Sequence, residues 1–277
     1  MRKRLLAIIF IVASLFLVAC GGDSASDAES ESNVIKVGAT SVPHGEILEE
    51  VTDLLAEEGI ELVIETYTDY ALPNEDLSRG ELDANFFQHG PYLTKEINEK
   101  GYDLVDLGGI HIEPIGVYSK EISSIDEIVP GTEVIISRSE PDHGRILSLF
   151  EANGFITLAE DAEKTTATIA DIVDNPYDLV FSPDVNPEFL VEAYENETDK
   201  LIAINANYAI EADLSPAKDA LFFEGDDSQY VNIVVARAED KDNENLKKLV
   251  EILQSSDVAD FINDQYSGEI IPTGDSN

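Results

Sequence analysis

The residue types most able to bind a small organic molecule are concentrated between Asp69 and Leu93. This stretch, DYALPNEDLSRGELDANFFQHGPYL, combines aromatic and imidazole side chains with turn-forming proline and glycine. If its centre is a β-strand, Phe86 and Phe87 point to opposite faces, so one can face a cleft while the other enters the core. Residue types alone favour a plainer interpretation, in which the aromatics belong to an ordinary core beside loops.

Arg145 is a candidate receptor for a carboxylate. It begins an apolar helical pattern after SEPDHG, in a chain with only 17 basic residues. A guanidinium beside the amides of a helix N-terminus binds a carboxylate through both charge and bidentate hydrogen bonds. The competing interpretation is a surface ion pair. Asn205 and Asn232 end or interrupt apolar runs, so their amides must be satisfied by backbone, water or a ligand.

The sequence contains no pattern typical of catalysis, nucleotide binding or metal ligation. It has no G-x-S-x-G elbow, no G-x-G-x-x-G after a strand and no phosphate-binding G-x-x-x-x-G-K-[ST] motif. The four histidines never fall at the i, i+4 spacing of a helical zinc pair, and His111-x-Glu113 lacks the P-C-x-x-C partner of zinc deaminases. We therefore predict a protein that is not an enzyme and uses no cofactor or metal ion.

Cys20 is the only cysteine, and it follows an uncharged run from Leu5 to Ala19 that is apolar except for Ser14 and that three basic residues precede. The run is shorter than a spanning helix requires, and the tetrapeptide LVAC matches a lipobox, in which the cysteine is acylated and becomes the new N-terminus. We predict a signal peptide over residues 1–19, and lipidated Cys20 with an acidic, flexible tether over residues 20–33. The protein is therefore expected on the extracytoplasmic side of the cell membrane. A chance cysteine behind a short membrane segment is the alternative.

The formal net charge is −40, with carboxylates spread along the whole chain. Such a charge repels nucleic acid and anionic lipid headgroups, so neither is an expected partner of the folded domain. We hypothesise that the hydrated acidic surface suits a saline or alkaline medium.

Short β-rich runs alternate with amphipathic helical stretches from Val34 onward. Predicted strands include residues 34–40, 61–67, 82–87, 132–137 and 231–237. Residues 44–58 form a predicted helix whose apolar face holds Ile47, Leu48, Val51, Leu54 and Leu55. This alternation predicts an α/β fold rich in parallel strands.

In several sequence blocks the chain resembles the methionine-binding lipoproteins of the NlpA type, which supply methionine ABC importers. The resemblance runs from Val37 to the C-terminal helix, and its most specific blocks are VGATSVPHGEILE at 37–49, the stretch 69–93 and HIEPIGVYSK at 111–120. It implies a two-lobed periplasmic-binding-protein fold of type 2, with the ligand between the lobes. Residues 34–118 plus 226–277 would form the first lobe, and 119–225 the second.

The resemblance also implies a set of ligand contacts. Arg145 would bind the α-carboxylate of an amino acid, and Asn205 and Asn232 would hydrogen-bond its carboxylate and ammonium groups. Aromatic and imidazole rings, which suit a thioether, would enclose the side chain: Tyr70, Phe87, His89 and Tyr92. The implied partners are L-methionine or a related amino acid, an ABC permease with its ATPase, and the membrane through lipidated Cys20.

The sequence departs from the family pattern directly before Arg145. Members usually read close to P-N-D-P-T-N-E-G-R, whereas residues 137–145 read SRSEPDHGR, so the asparagines are gone. Another apolar amino acid or a methionine-containing dipeptide is the alternative ligand. An enzyme on the same fold and a lipid-anchored adhesin are the alternatives from other functional classes.

Overall fold

Alternating strands and helices appear as predicted in a computed structural model, which describes residues 33–225 and 228–273. Cys20 and the predicted tether up to residue 32 lie outside the described residues. The strands are Val34–Thr40 (β1), Glu61–Tyr67 (β2), Ala84–His89 (β3), Leu104–Ile112 (β4), Gly116–Tyr118 (β5), Glu133–Ser137 (β6), Thr157–Leu158 (β7), Ile172–Asp174 (β8), Val180–Val185 (β9), Leu201–Ile204 (β10), Phe222–Phe223 (β11), Val231–Arg237 (β12) and Ile271–Pro272 (β13).

The α-helices of the described residues are Glu46–Glu50 (α1), Thr52–Glu57 (α2), Leu72–Ser78 (α3), Gly90–Lys100 (α4), Glu140–Ala152 (α5), Leu190–Asn196 (α6), Ala206–Glu211 (α7), Pro216–Asp219 (α8), Glu244–Leu253 (α9) and Ser256–Tyr266 (α10). Single turns of other helix types occupy Ser41–Gly45, Ile125–Glu127, Ile169–Asp171, Pro187–Phe189 and Ala238–Asp240. No helix in these ranges is long and apolar enough to cross a membrane.

Two mixed sheets organise the chain. The first has the order β13-β4-β12-β3-β1-β2, and the second β11-β5-β10-β6-β9. Within the first sheet β1 is parallel to β2 and β3, whereas β12 is antiparallel to β3 and β4. Within the second, β6 is parallel to β9 and β10, and β5 is antiparallel to its neighbours. The parallel strands predicted from the sequence are thus joined by antiparallel ones.

The chain crosses between the sheets twice, once between Ile112 and Gly116 and again between Phe223 and Val231. Strand β5 pairs with β10 and β11 in the second sheet, although the sequence-based boundary at residue 118 assigns it to the first lobe. Its apolar residues fit the interior of either sheet, so local pattern alone does not identify the partner strands.

Each sheet has its own apolar core. Phe86 is fully buried in the core beneath the first sheet, and Phe150 in that beneath the second. The predicted apolar face of residues 44–58 is confirmed at four positions, which are fully buried: Ile47, Leu48, Val51 and Leu55. Leu54, at the edge of this face, is an exception, with 37% of its surface exposed. The predicted single helix is divided into α1 and α2 at Val51.

Candidate functional site

A cavity with an empty volume of about 390 Å³ lies between residues of the two sheets. Its walls contain all seven predicted ligand-binding residues: Tyr70, Phe87, His89, Tyr92, Arg145, Asn205 and Asn232. The structure adds five residues that the sequence analysis did not select: Gln88, Glu113, Asp142, Ala206 and Asn207.

One wall of the cavity is aromatic. The ring centroid of Phe87 lies 6.0 Å from that of Tyr70 and 5.9 Å from that of Tyr92. The Tyr92 hydroxyl donates to the Tyr70 carbonyl at 2.8 Å, and the Tyr70 hydroxyl donates to Asn207 Oδ1 at 2.6 Å. Burial raises the pKa of Tyr70 well above its usual value, so this wall stays neutral. Phe86 lies on the opposite face of β3, in the core, as the alternation predicts.

The end of β3 positions His89 at the start of α4. Its Nδ1 accepts a hydrogen bond from the Tyr92 amide at 3.3 Å, which caps the helix and directs the other ring nitrogen outward. That nitrogen, Nε2, lies 3.2 Å from Asp142 Oδ1 in the first turn of α5. The contact joins residues from the two sides of the cavity.

Close backbone packing explains the glycine before Arg145. A Cβ atom at Gly144 would lie 2.2 Å from the carbonyl oxygen of Lys164, so any larger residue would push the segment at residue 164 away from α5. This packing fixes the first turns of α5, which carry both Asp142 and Arg145 into the cavity.

The Arg145 guanidinium is 5% exposed and already has several partners. Nε donates to Glu224 Oε2 at 3.0 Å, Nη2 donates to the Glu113 carbonyl at 2.7 Å and also contacts Glu224, and the group lies 4.5 Å from the Tyr230 ring centre. Burial opposes its charge, but Glu224 and Asp142 outweigh that effect and raise the pKa of Arg145. Among the described residues Nη1 makes no hydrogen bond, so this edge is available to a carboxylate.

Asp142 is a buried carboxylate that stays ionised. Burial alone raises its pKa, but the hydrogen bond from His89 and the positive charge of Arg145 outweigh this effect, and the pKa falls below its usual value. Asn205 Nδ2 donates to Asp142 Oδ2 at 3.2 Å. Arg145 Nη1 is 3.9 Å from Asp142 Oδ1. The cavity therefore presents adjacent positive and negative groups.

Glu113 forms a second buried acidic centre with two histidines. Glu113 Oε1 lies 3.1 Å from His44 Nε2 and 2.8 Å from His111 Nε2, and Asn232 Oδ1 lies 3.0 Å from the same His44 nitrogen. Burial lowers the pKa of His44 to about 4 and that of His111 to about 3, so both rings are neutral near pH 7. Burial raises the pKa of Glu113.

This cluster is the set within the described ranges that could hold a metal ion, since its three ligand atoms lie within 4.8 Å of one another. The sequence analysis missed it because His44 follows β1 and the other two residues belong to the β4 segment. Two neutral imidazole N–H groups directed at one carboxylate oxygen already form a satisfied hydrogen-bonded arrangement. Its geometry is therefore explained without an ion.

Comparisons with known proteins agree with this architecture. Residues 35–274 match the NlpA lipoprotein family. The methionine-binding lipoprotein MetQ of Bacillus subtilis is 39% identical over 277 residues, which cover 99% of this chain and 100% of that protein.

Solved structures of related lipoproteins and binding proteins have the same fold as this chain. A pheromone-precursor lipoprotein of the YaeC family from Enterococcus faecalis superposes with a TM-score of 0.85 and 45% identity, covering 87% of this chain and 100% of that one. A nutrient-binding protein from Burkholderia cenocepacia bound to methionine has a TM-score of 0.81 and 35% identity, covering 86% and 99%. The predicted two-lobed periplasmic-binding fold is confirmed, and the chain belongs to the NlpA lipoprotein family.

Proposed function

We propose that this protein is a lipid-anchored, extracytoplasmic solute-binding protein that captures methionine, or a close relative, for an ABC importer. The observation that carries the proposal is the cavity itself, which Arg145 lines together with an aromatic wall and in which Arg145 Nη1 makes no hydrogen bond among the described residues. A guanidinium suits the α-carboxylate of an amino acid, and aromatic rings suit the thioether of its side chain.

Capture would proceed by closure of two lobes around the ligand. Hydrogen bonds already bridge the two sides of the cavity: Tyr70 to Asn207 at 2.6 Å, and the Tyr208 hydroxyl to the Thr68 carbonyl at 3.2 Å. A ligand that contacts both sides favours the closed arrangement by its extra affinity for it. The closed form would then dock on a permease whose separate ATPase subunits supply the energy.

The membrane anchor would be the acylated thiol of Cys20. A flexible chain of this length would span on the order of 20 Å, so the predicted acidic tether would keep the binding domain near its permease. The names of the relatives, methionine-binding lipoproteins, support both the anchor and the ligand.

A thermal-shift screen of the purified protein against the twenty amino acids and methionine-containing dipeptides tests the proposal. We expect methionine to raise the midpoint of unfolding, because a ligand that binds only the folded state stabilises it. A larger shift with another amino acid or a dipeptide would replace methionine as the ligand. No shift with any of them would favour an adhesin, and turnover of a bound compound would favour an enzyme.

A further inference from the structure

We propose that Glu224 is a positioning residue for carboxylate binding: it holds the Arg145 guanidinium so that Nη1 stays available to a ligand. Glu224 is not among the described residues that line the cavity, so it acts through Arg145 rather than by touching the ligand. This inference rests on the proposed function and deepens it, because it names the residue that keeps the carboxylate receptor in its binding geometry.

The Glu224 carboxylate is held by at least four donors among the described residues. Its Oε2 accepts a hydrogen bond from Arg145 Nε at 3.0 Å and also contacts Nη2 of the same side chain. The same oxygen accepts from the Ile115 amide at 3.2 Å, and the other oxygen, Oε1, accepts from Ser228 Oγ at 3.0 Å. A carboxylate offers about four lone-pair sites, so these contacts fix its position as well as its charge.

These contacts connect Arg145 to both segments by which the chain crosses between the sheets. Ile115 lies in the first crossing, between β4 and β5, and Glu224 begins the second, directly after β11. The Glu224 amide donates to the Ile115 carbonyl at 3.0 Å, so the two crossings are paired at this point. Arg145 Nη2 also donates to the Glu113 carbonyl, in the first crossing, at 2.7 Å. The guanidinium is therefore fixed against both crossings, although its backbone belongs to α5.

Asp142 offers the guanidinium a competing position. Its buried Oδ1 lies 3.9 Å from Arg145 Nη1, a distance at which the two groups attract each other without a direct hydrogen bond. If Glu224 no longer attracted Nε and Nη2, the guanidinium would turn towards Asp142 and Nη1 would pair with it. A ligand carboxylate would then have to displace that ion pair, so its affinity would fall.

A double-mutant cycle on the methionine affinity of the purified full chain tests this role. Glu224→Gln keeps the shape of the side chain and one acceptor oxygen, but removes the charge. With Arg145 present we expect it to raise the Kd for methionine by about 3- to 100-fold, which is the range of couplings within one hydrogen-bonded network. Added to Arg145→Lys, the same change should leave the Kd unchanged or lower it, because the single ammonium is released from Glu224 and becomes available to the ligand.

Thermal-shift titration with methionine up to about 0.1 M gives the Kd of each protein, because stabilisation still grows when the ligand exceeds a millimolar Kd. Urea unfolding shows whether each variant folds. Glu224→Asp, which keeps the charge on a shorter side chain, replaces Glu224→Gln if the latter does not fold, and it too should weaken binding only when Arg145 is present. Glu75→Gln is the matched control: Glu75 pairs with Arg79 on the surface, so this change should leave the Kd unchanged.

The outcomes separate positioning from a purely structural role. Equal losses of affinity from Glu224→Gln in the presence of Arg145 and of Arg145→Lys would show that Glu224 only supports the fold, and would overturn the proposal. An unchanged Kd in folded Glu224→Gln with Arg145 present would overturn it as well. If no amino acid stabilises the unmodified protein, the proposed function itself fails.

Discussion

Replacement of Arg145 by lysine would keep a positive charge in the cavity and remove the forked geometry of the guanidinium. In the structure Nε and Nη2 are committed to Glu224 and to the Glu113 carbonyl, and Nη1 alone is available to a ligand. A lysine ammonium has a single charged nitrogen. It cannot neutralise Glu224 and bind a ligand carboxylate from the position of Nη1 at the same time.

The expected loss follows from these contacts. A hydrogen bond to a charged group contributes about 1.5–3 kcal/mol, and truncation of one partner in a buried charge pair costs about 2–5 kcal/mol. At about 1.4 kcal/mol per factor of ten, Arg145→Lys should raise the Kd for methionine by about 30-fold to a few thousand-fold. Folding should be affected less, because the lysine can still partner Glu224.

Isothermal titration calorimetry gives the Kd, and urea unfolding shows whether the variant is folded. Arg79→Lys is the matched control: this side chain is 62% exposed and pairs with Glu75 on the surface, so the change should cost less than about 1 kcal/mol and leave binding intact. A folded Arg145→Lys protein with an unchanged Kd would refute the assignment of Arg145 as the carboxylate receptor.

Three further predictions concern folding and the surface. Phe86→Ala should destabilise the fold by about 3–5 kcal/mol, whereas Phe87→Ala should mainly weaken methionine binding; paired urea unfolding and calorimetry check this, and equal effects of both changes on both measurements would contradict it. The pKa values of about 4 and 3 for buried His44 and His111 lie below the usual 6.5, so the unfolded chain binds more protons as pH falls from about 6.5 towards 4, and each histidine removes up to about 1.4 kcal/mol of stability per pH unit. The raised pKa of Glu113 opposes this trend, because its carboxyl takes up a proton in the folded state, and the general loss of negative charge affects every variant equally. The test is therefore the slope of unfolding free energy against pH between pH 7 and 5. This slope should be flatter in His111→Gln than in the unmodified protein, and equal slopes would reject the idea. With a net charge of −40, the free energy of unfolding should rise between 0.1 and 1 M NaCl as the Debye length falls from about 10 to about 3 Å, and a flat or falling urea midpoint would show that self-repulsion is unimportant.

Periodicity and residue type predicted much of the fold. The strand at Val231–Arg237 has the bounds predicted from its apolar run, and the alternation at Phe86 and Phe87 separated a core residue from a cavity residue. These features depend on neighbours along the chain. The sequence-based boundary at residue 118 placed strand β5 in the first lobe, whereas β5 pairs with β10 and β11 of the second sheet. Local sequence could not identify these partners because they lie far away along the chain.

The acidic half of the cavity is what sequence reasoning did not find. Asp142 and Glu113 were two among 57 acidic residues, and nothing in their local patterns marks them as buried. Their positions depend on tertiary packing, which sets the α5 terminus against the end of β3 and brings His44 beside His111. The loss of asparagines before Arg145 was visible in the sequence as a departure from the family pattern, but only the structure shows that Asp142 lines the cavity.

The central claim is that this cavity binds one methionine molecule. Calorimetric titration of L-methionine into protein that has been unfolded, dialysed and refolded to remove any carried ligand measures this directly. We expect saturable binding with one site per chain, strongly weakened in Arg145→Ala. No heat of binding and no change in unfolding midpoint at millimolar methionine, in a protein shown to have refolded, would contradict it.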